Sequence, residues 1–94
     1  MAPPLNELMA YVEVLAASAQ ATTHANDRSS YSRHLAAAAL MFLAVHQRRD
    51  DQLLELISTE RAAYGRGFLS GREGESAERA FAEFAAFVEL QGAA

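Results

Sequence analysis

An uninterrupted apolar run of eleven residues, Leu35 to Val45 (LAAAALMFLAV), occupies the middle of the 94-residue chain and limits what it can fold into. The run is too short to cross a bilayer, which takes about 20 apolar residues in a helix. Its four consecutive alanines and single β-branched residue, Val45, favour helix over strand. Tyr31, Leu35, Ala38, Phe42 and Val45 repeat at helical spacing, and Leu40, Met41 and Leu43 extend the apolar character to adjoining faces. A helix that is apolar nearly all round is either a central element packed by several neighbours or one whose surplus surface another chain covers. Ala36 to Ala39 would let such a neighbour approach closely.

The rest of the chain is built from the same material. Of its 48 hydrophobic residues 21 are alanine, so burial must rest on eleven Leu, five Phe, three Tyr, three Met, four Val and one Ile. Few of these are β-branched, and an all-α fold follows as the expectation. Ninety-four residues form one domain, with one core and no room for a second.

Helical spacing divides the chain into four. Pro3 and Pro4 suit a helix start, and Leu5, Leu8, Met9, Val12, Leu15, Ala16 and Ala19 then line one face of a first helix from about Pro4 to Ala21. Thr22 to Asp27 reads as a polar loop, with Asp27, Ser29 and Ser30 each able to cap the second helix. Arg48-Arg49-Asp50-Asp51 holds neither Gly nor Pro, so a tight reversal capped by Asp50 competes with one continuous helix from Ser30 to Tyr64. The reversal is favoured, because arginines then end one helix and aspartates begin the next, as the helix dipoles prefer. The third helix carries Leu53, Leu54, Leu56, Ile57 and Tyr64. Gly65 to Gly74 contains four of the five glycines and reads as a long Gly-rich loop whose Phe68 and Leu69 plug the end of the core. A fourth helix starts at Gly74 or Ser76, presents Phe81, Phe84, Phe87 and Val88, and ends at Gly92. The expected architecture is a small antiparallel four-helix bundle, up-down-up-down, with the long Gly-rich loop between helices three and four.

Eight Arg and no Lys against twelve acids give a net charge of −4, which argues against nucleic acid or anionic membrane as a partner and suits a basic protein surface. With no cysteine there is no disulfide, thiolate metal site or cysteine nucleophile, and stability must come from packing. The amino terminus has no basic n-region and does not read as a secretory signal, so a cytoplasmic location is expected.

Catalytic and cofactor chemistry finds little support. The glycine-rich loop with Arg66 and Arg72 could cradle an anion, but it lacks both G-x-G-x-x-G and Gly-Lys-Ser/Thr, and Glu73 and Glu75 would oppose a phosphate. His24, His34 and His46 are not spaced as a ligand pair on one helix and no Glu-x-x-His occurs, so no metal or other cofactor is expected. His34 shares the face of Tyr31 and Leu35 and reads as a core-edge residue making one hydrogen bond. An enzyme would require a cleft gathering a histidine with Glu60, Arg61 or Tyr64; no catalytic residue is assigned.

The apolar supply is large for a monomer of this length. The expectation is therefore a non-enzymatic protein–protein interaction module, an acidic bundle that binds a basic protein partner or pairs as a homodimer, similar in class to small immunity, antitoxin or chaperone proteins. Its expected interaction surface comprises Tyr11, Glu55, Glu60, Arg61, Tyr64, Arg66 and Arg72. The alternative is a small-ligand or anion-binding bundle using the interhelical core or the Arg66/Arg72 loop.

Overall fold

A computed structural model describes residues 3–65 and 71–93, and every regular element in them is helical: α1 (Asn6–Ala21), α2 (Ala25–His46), α3 (Asp50–Gly65) and α4 (Arg72–Ala93). α1 packs on α2 and α4, α2 on α3, and α3 on α4, closing a ring of four helices 47 Å long and little more than 20 Å across. Among the described residues no helix is long and apolar enough to cross a membrane.

The helix boundaries follow local hydrogen bonding more closely than residue preference. α1 begins at Asn6 and not at the prolines, with the Leu5 carbonyl accepting the Met9 N–H. The loop expected over Thr22 to Asp27 shrinks to Thr22–His24. Thr22 serves both sides of it: its hydroxyl accepts the His24 N–H and its carbonyl accepts the Arg28 guanidinium. Asp27 thereby falls in the first turn of α2, where its charge complements the exposed N–H groups.

Helices two and three are separate. The chain breaks at Gln47–Arg49 with Arg48 at φ +56, a left-handed conformation rare for a side chain other than glycine. The Arg48 N–H donates to the Val45 carbonyl and the Arg49 N–H to Ala44, the paired bonds of a Schellman ending. Arg48 is held there by its side chain, which contacts Asp50 at 3.2 Å and Gln91 at 3.2 Å and lies over the Phe87 ring.

The glycine segment is shorter than its composition suggested. Gly65 belongs to α3, and Arg72, Glu73 and Gly74 belong to α4, which leaves only residues 66 to 71 between the two helices. Gly71, at φ +58, uses the freedom of glycine to turn the chain into α4 and accepts the Glu75 N–H. Arg66, Phe68 and Leu69 lie outside the described residues, so the anticipated plug does too. Helix four also runs past Gly92, to Ala93.

Along the middle of the bundle Leu8, Leu15, Met41, Val45, Leu53, Ile57, Phe81 and Phe84 are almost fully buried. Ala38, Ala44, Ala77 and Ala80 are buried between them, so the alanines act as spacers that let the aromatic face of α4 settle against its neighbours. Leu54, expected on the inner face of α3, points outward instead.

Candidate functional site

Two features stand apart from ordinary core packing: a buried polar cluster between the helices and an apolar face on the outside. The cluster draws on all four helices. Tyr11 of α1 is 1% exposed, and its hydroxyl is hydrogen-bonded to that of Tyr64 on α3. His34 of α2 is buried with its ring 5.0 Å from that of Tyr64, and its Nδ1 lies 2.8 Å from Glu60 Oε2. This His34–Glu60 approach has an ion-pair distance but not the angle of a hydrogen bond, so Nδ1 is a buried polar atom without an aligned partner. Ser18 donates to Glu73 Oε1 at 2.6 Å across α1 and α4, while the buried hydroxyls of Ser30 and Ser76 have no partner.

Burial is the first cause of an altered acidity here. The Tyr11 phenol is pushed well above its ordinary range by desolvation, with the Tyr64 hydroxyl and the Glu60 and Glu73 carboxylates adding to the effect. Tyr64 is pushed up to about 12, again chiefly by burial; the hydrogen bond from Tyr11 works the other way, and Glu60 and Glu73 raise it further. Both phenols are therefore neutral, closely packed groups at physiological pH. Glu60 borders a shallow hollow of about 290 Å³ between α2 and α3, with Ala37, Gln52, Glu55, Leu56 and Thr59. A histidine does meet Glu60 and Tyr64, as an enzyme would need. Of these three residues Glu60 lines that hollow, while His34 and Tyr64 are not among its lining residues.

The outer feature lies where α1 meets α2. Leu8, Met9, Val12, Leu35, Ala38, Ala39, Phe42 and Leu43 line an open groove of about 410 Å³. Met9, Phe42 and Leu43 are 54%, 40% and 48% exposed, and Leu40, which does not line the groove, is exposed on the same helix. His46, at the end of the same helix, packs against Phe42 with ring centroids 4.4 Å apart and the planes tilted by 51°. With only α1 and α3 as principal neighbours, α2 is not the enveloped central helix that its composition also allowed, and its surplus apolar surface faces outward.

The residues expected to form an interaction surface do not form one patch. Tyr11 and Glu60 are buried, and Tyr64 is partly buried against the core. Glu55, Arg61 and Arg72 are exposed, and Arg66 lies outside the described residues. Arg61 makes a two-point contact with Glu78, at 2.6 and 3.0 Å, which holds its guanidinium charged still more firmly. What sequence reasoning missed is Met9 on the open groove. Its 3.6-residue spacing placed it on the inner stripe of α1, and only the position of α2 shows it to be at the edge of that stripe. Among the described residues no group of three or more His, Asp or Glu is placed to hold a metal. No family model, curated protein or solved structure matches this chain.

Proposed function

We propose that the protein is a non-enzymatic protein–protein interaction module that receives a helix of another polypeptide in the groove between α1 and α2. The observation that carries this reading is the exposure of Met9, Phe42 and Leu43 along one open apolar groove. Single exposed apolar residues are ordinary, but a groove that is itself apolar and edged by three of them is what partner-binding surfaces present. A helix laid into such a groove anchors through side chains spaced three and four apart.

The same reading takes the helices as an antiparallel, up-down-up-down bundle. Glu7 meets Arg79 while Ser18 meets Glu73, so numbers rise along α1 as they fall along α4; Arg48 with Gln91 and Arg61 with Glu78 support the same sense for α3 against α4. A cytoplasmic site of action fits a cysteine-free domain that needs no oxidising compartment.

The test is site-specific photo-crosslinking in the protein's own cells, with the reactive group placed at Leu43 and, as a control, at the exposed Ala82 on α4. A discrete adduct at position 43, identified as one polypeptide by mass spectrometry and missing at position 82, is the expected result. Equal labelling at both positions, or none at 43, would refute the reading.

A further inference from the structure

We propose that the hollow between α2 and α3 binds a short linear diamine, one ammonium group pairing with the buried Glu60 carboxylate and the other with the exposed Glu55. The hollow shares no lining residue with the apolar groove between α1 and α2. Glu60 is the one buried residue of its lining, at 8% exposed. No hydrogen-bond donor among the described residues is aligned on that carboxylate, because His34 Nδ1 comes within 2.8 Å of Oε2 without the angle of a hydrogen bond. A carboxylate so placed has given up most of its water without gaining donors in return, a state that a cation entering from the hollow would relieve. No arginine supplies that cation. Arg61, the next residue, is held by Glu78 of α4 at 2.6 and 3.0 Å, and Arg33, one turn before Ala37, is exposed and pairs with neither Glu55 nor Glu60.

The rest of the lining selects the form of the ligand. Gln52, Glu55, Leu56, Thr59 and Glu60 fall on one side of α3 at helical spacing, and Ala37 borders the same hollow from α2 with a side chain too small to fill it. Ala37 and Leu56 offer methylene groups an apolar wall, while the Thr59 hydroxyl and the Gln52 side-chain oxygen can accept from an ammonium group. Both charges in the lining are negative, which rejects an anion, and among the described residues no third His, Asp or Glu joins them to hold a metal ion. Glu55 and Glu60 stand five residues apart, about 7.5 Å along the helix axis, a separation that the two nitrogens of a four- or five-carbon diamine can span. A volume of about 290 Å³ is at the lower limit of ligand sites, roughly 300–1,000 Å³, and suits a molecule of this size.

Titration of the full chain with 1,4-diaminobutane at constant ionic strength, followed through the amide NMR signals, tests the site. The expected result is saturable shifts clustered at Ala37, Glu55, Thr59 and Glu60, with n-butylamine binding roughly fivefold more weakly because it has nothing to pair with Glu55. Glu55→Gln should lower the affinity for the diamine to that for butylamine and leave butylamine unaffected. Glu60→Gln should weaken both amines by roughly tenfold or more, and Ala37→Leu, which fills the hollow from α2, should abolish both while helicity and Tm stay near those of the parent. Because Glu55 is exposed, E55Q decides the matter even where E60Q unsettles the fold. Shifts that rise without saturating, shifts spread over the carboxylates of all four helices, equal affinity for the two amines, or binding indifferent to E55Q and A37L would each overturn the proposal.

Discussion

Raising the pH should unfold this domain through two phenols. Tyr11 and Tyr64 are hydrogen-bonded to one another, and burial makes both phenols weaker acids by raising their pKa. In the unfolded chain a tyrosine loses its proton near pH 10. Above that pH the unfolded state binds fewer protons than the folded one, so stability that is intact below about pH 10 is lost as pH rises towards the folded values. Each fully buried phenol removes about 1.4 kcal/mol per pH unit in that window. Tyr11 alone, at 1% exposed, therefore costs about 2.7 kcal/mol between pH 10 and pH 12. Tyr64 is only partly buried and titrates near the top of the window at about 12, so solvent screening reduces its share to about half of that. Together these approach the entire stability of a domain of this size, about 5–14 kcal/mol, at its lower end. Denaturant titrations at half-unit steps from pH 8 to pH 12, with phenolate absorbance followed in parallel, measure the effect. Stability should be level below pH 10 and fall steeply above it, and Tyr11→Phe should flatten the slope by about 1.4 kcal/mol per unit. A folded protein whose Tyr11 ionises near pH 10, or a stability curve that stays level to pH 12, would refute the assignment of these phenols to a dry interior.

Three further substitutions probe other parts of the argument. Arg48 holds a left-handed backbone conformation, so Arg48→Ala loses the Asp50, Gln91 and Phe87 contacts and keeps the strain; Arg48→Gly loses the contacts but relieves it, and should be the more stable of the two by about 1 kcal/mol in thermal melts. Ser76 is fully buried with an unpartnered hydroxyl, so Ser76→Ala should leave stability unchanged or raise it by about 1 kcal/mol, and a loss greater than 1 kcal/mol would mean that the hydroxyl has a hidden partner. Glu60→Leu strands His34 in the interior and should cost about 2 kcal/mol, whereas His34→Phe with Glu60→Leu should cost clearly less than the two single changes added; strict additivity would show that the pair is not coupled.

The four helices were legible in the sequence because the apolar spacing is 3.6 throughout and each break is marked by polar residues, charge or glycine. Boundaries were less so. Asp27, Ser29 and Ser30 all looked like caps, yet α2 starts before them, because Thr22 supplies its side chain and carbonyl to the turn. The glycines between Tyr64 and Ser76 suggested a long loop, but Gly65 and Gly74 sit inside helices: glycine permits a turn without requiring one. The interior polar groups were legible only in part. His34 could be placed on a core-facing stripe, but its partner Glu60 is a carboxylate on a different helix, and charge read along a chain defaults to solvent. Glu60 was expected outside for that reason and lies within, and Tyr11, a candidate for the interaction surface, is buried too.

The placement of those groups bears on the docking role proposed for the outside of α2. A ring of four helices gives each helix two principal neighbours, so each needs apolar residues on two adjoining faces and polar ones elsewhere. α1, α3 and α4 each leave one large apolar residue exposed, Met9, Leu54 and Leu90, while α4 turns its three phenylalanines inward. α2 departs from this pattern in both directions, with a histidine facing the core and Leu40, Phe42 and Leu43 facing solvent. Exchanging these characters would give a more stable isolated domain, because burying an imidazole and a carboxylate costs desolvation and exposed leucines contribute nothing to the monomer. A sequence that keeps both features against stability is consistent with selection acting on what covers the leucines. Replacing Leu40 and Leu43 together by Gln should therefore leave the melting temperature of the isolated chain unchanged within about 2 °C while weakening the docking proposed for this face. A fall in the monomer's own melting temperature by 10 °C or more would instead place those leucines in the fold of the single chain.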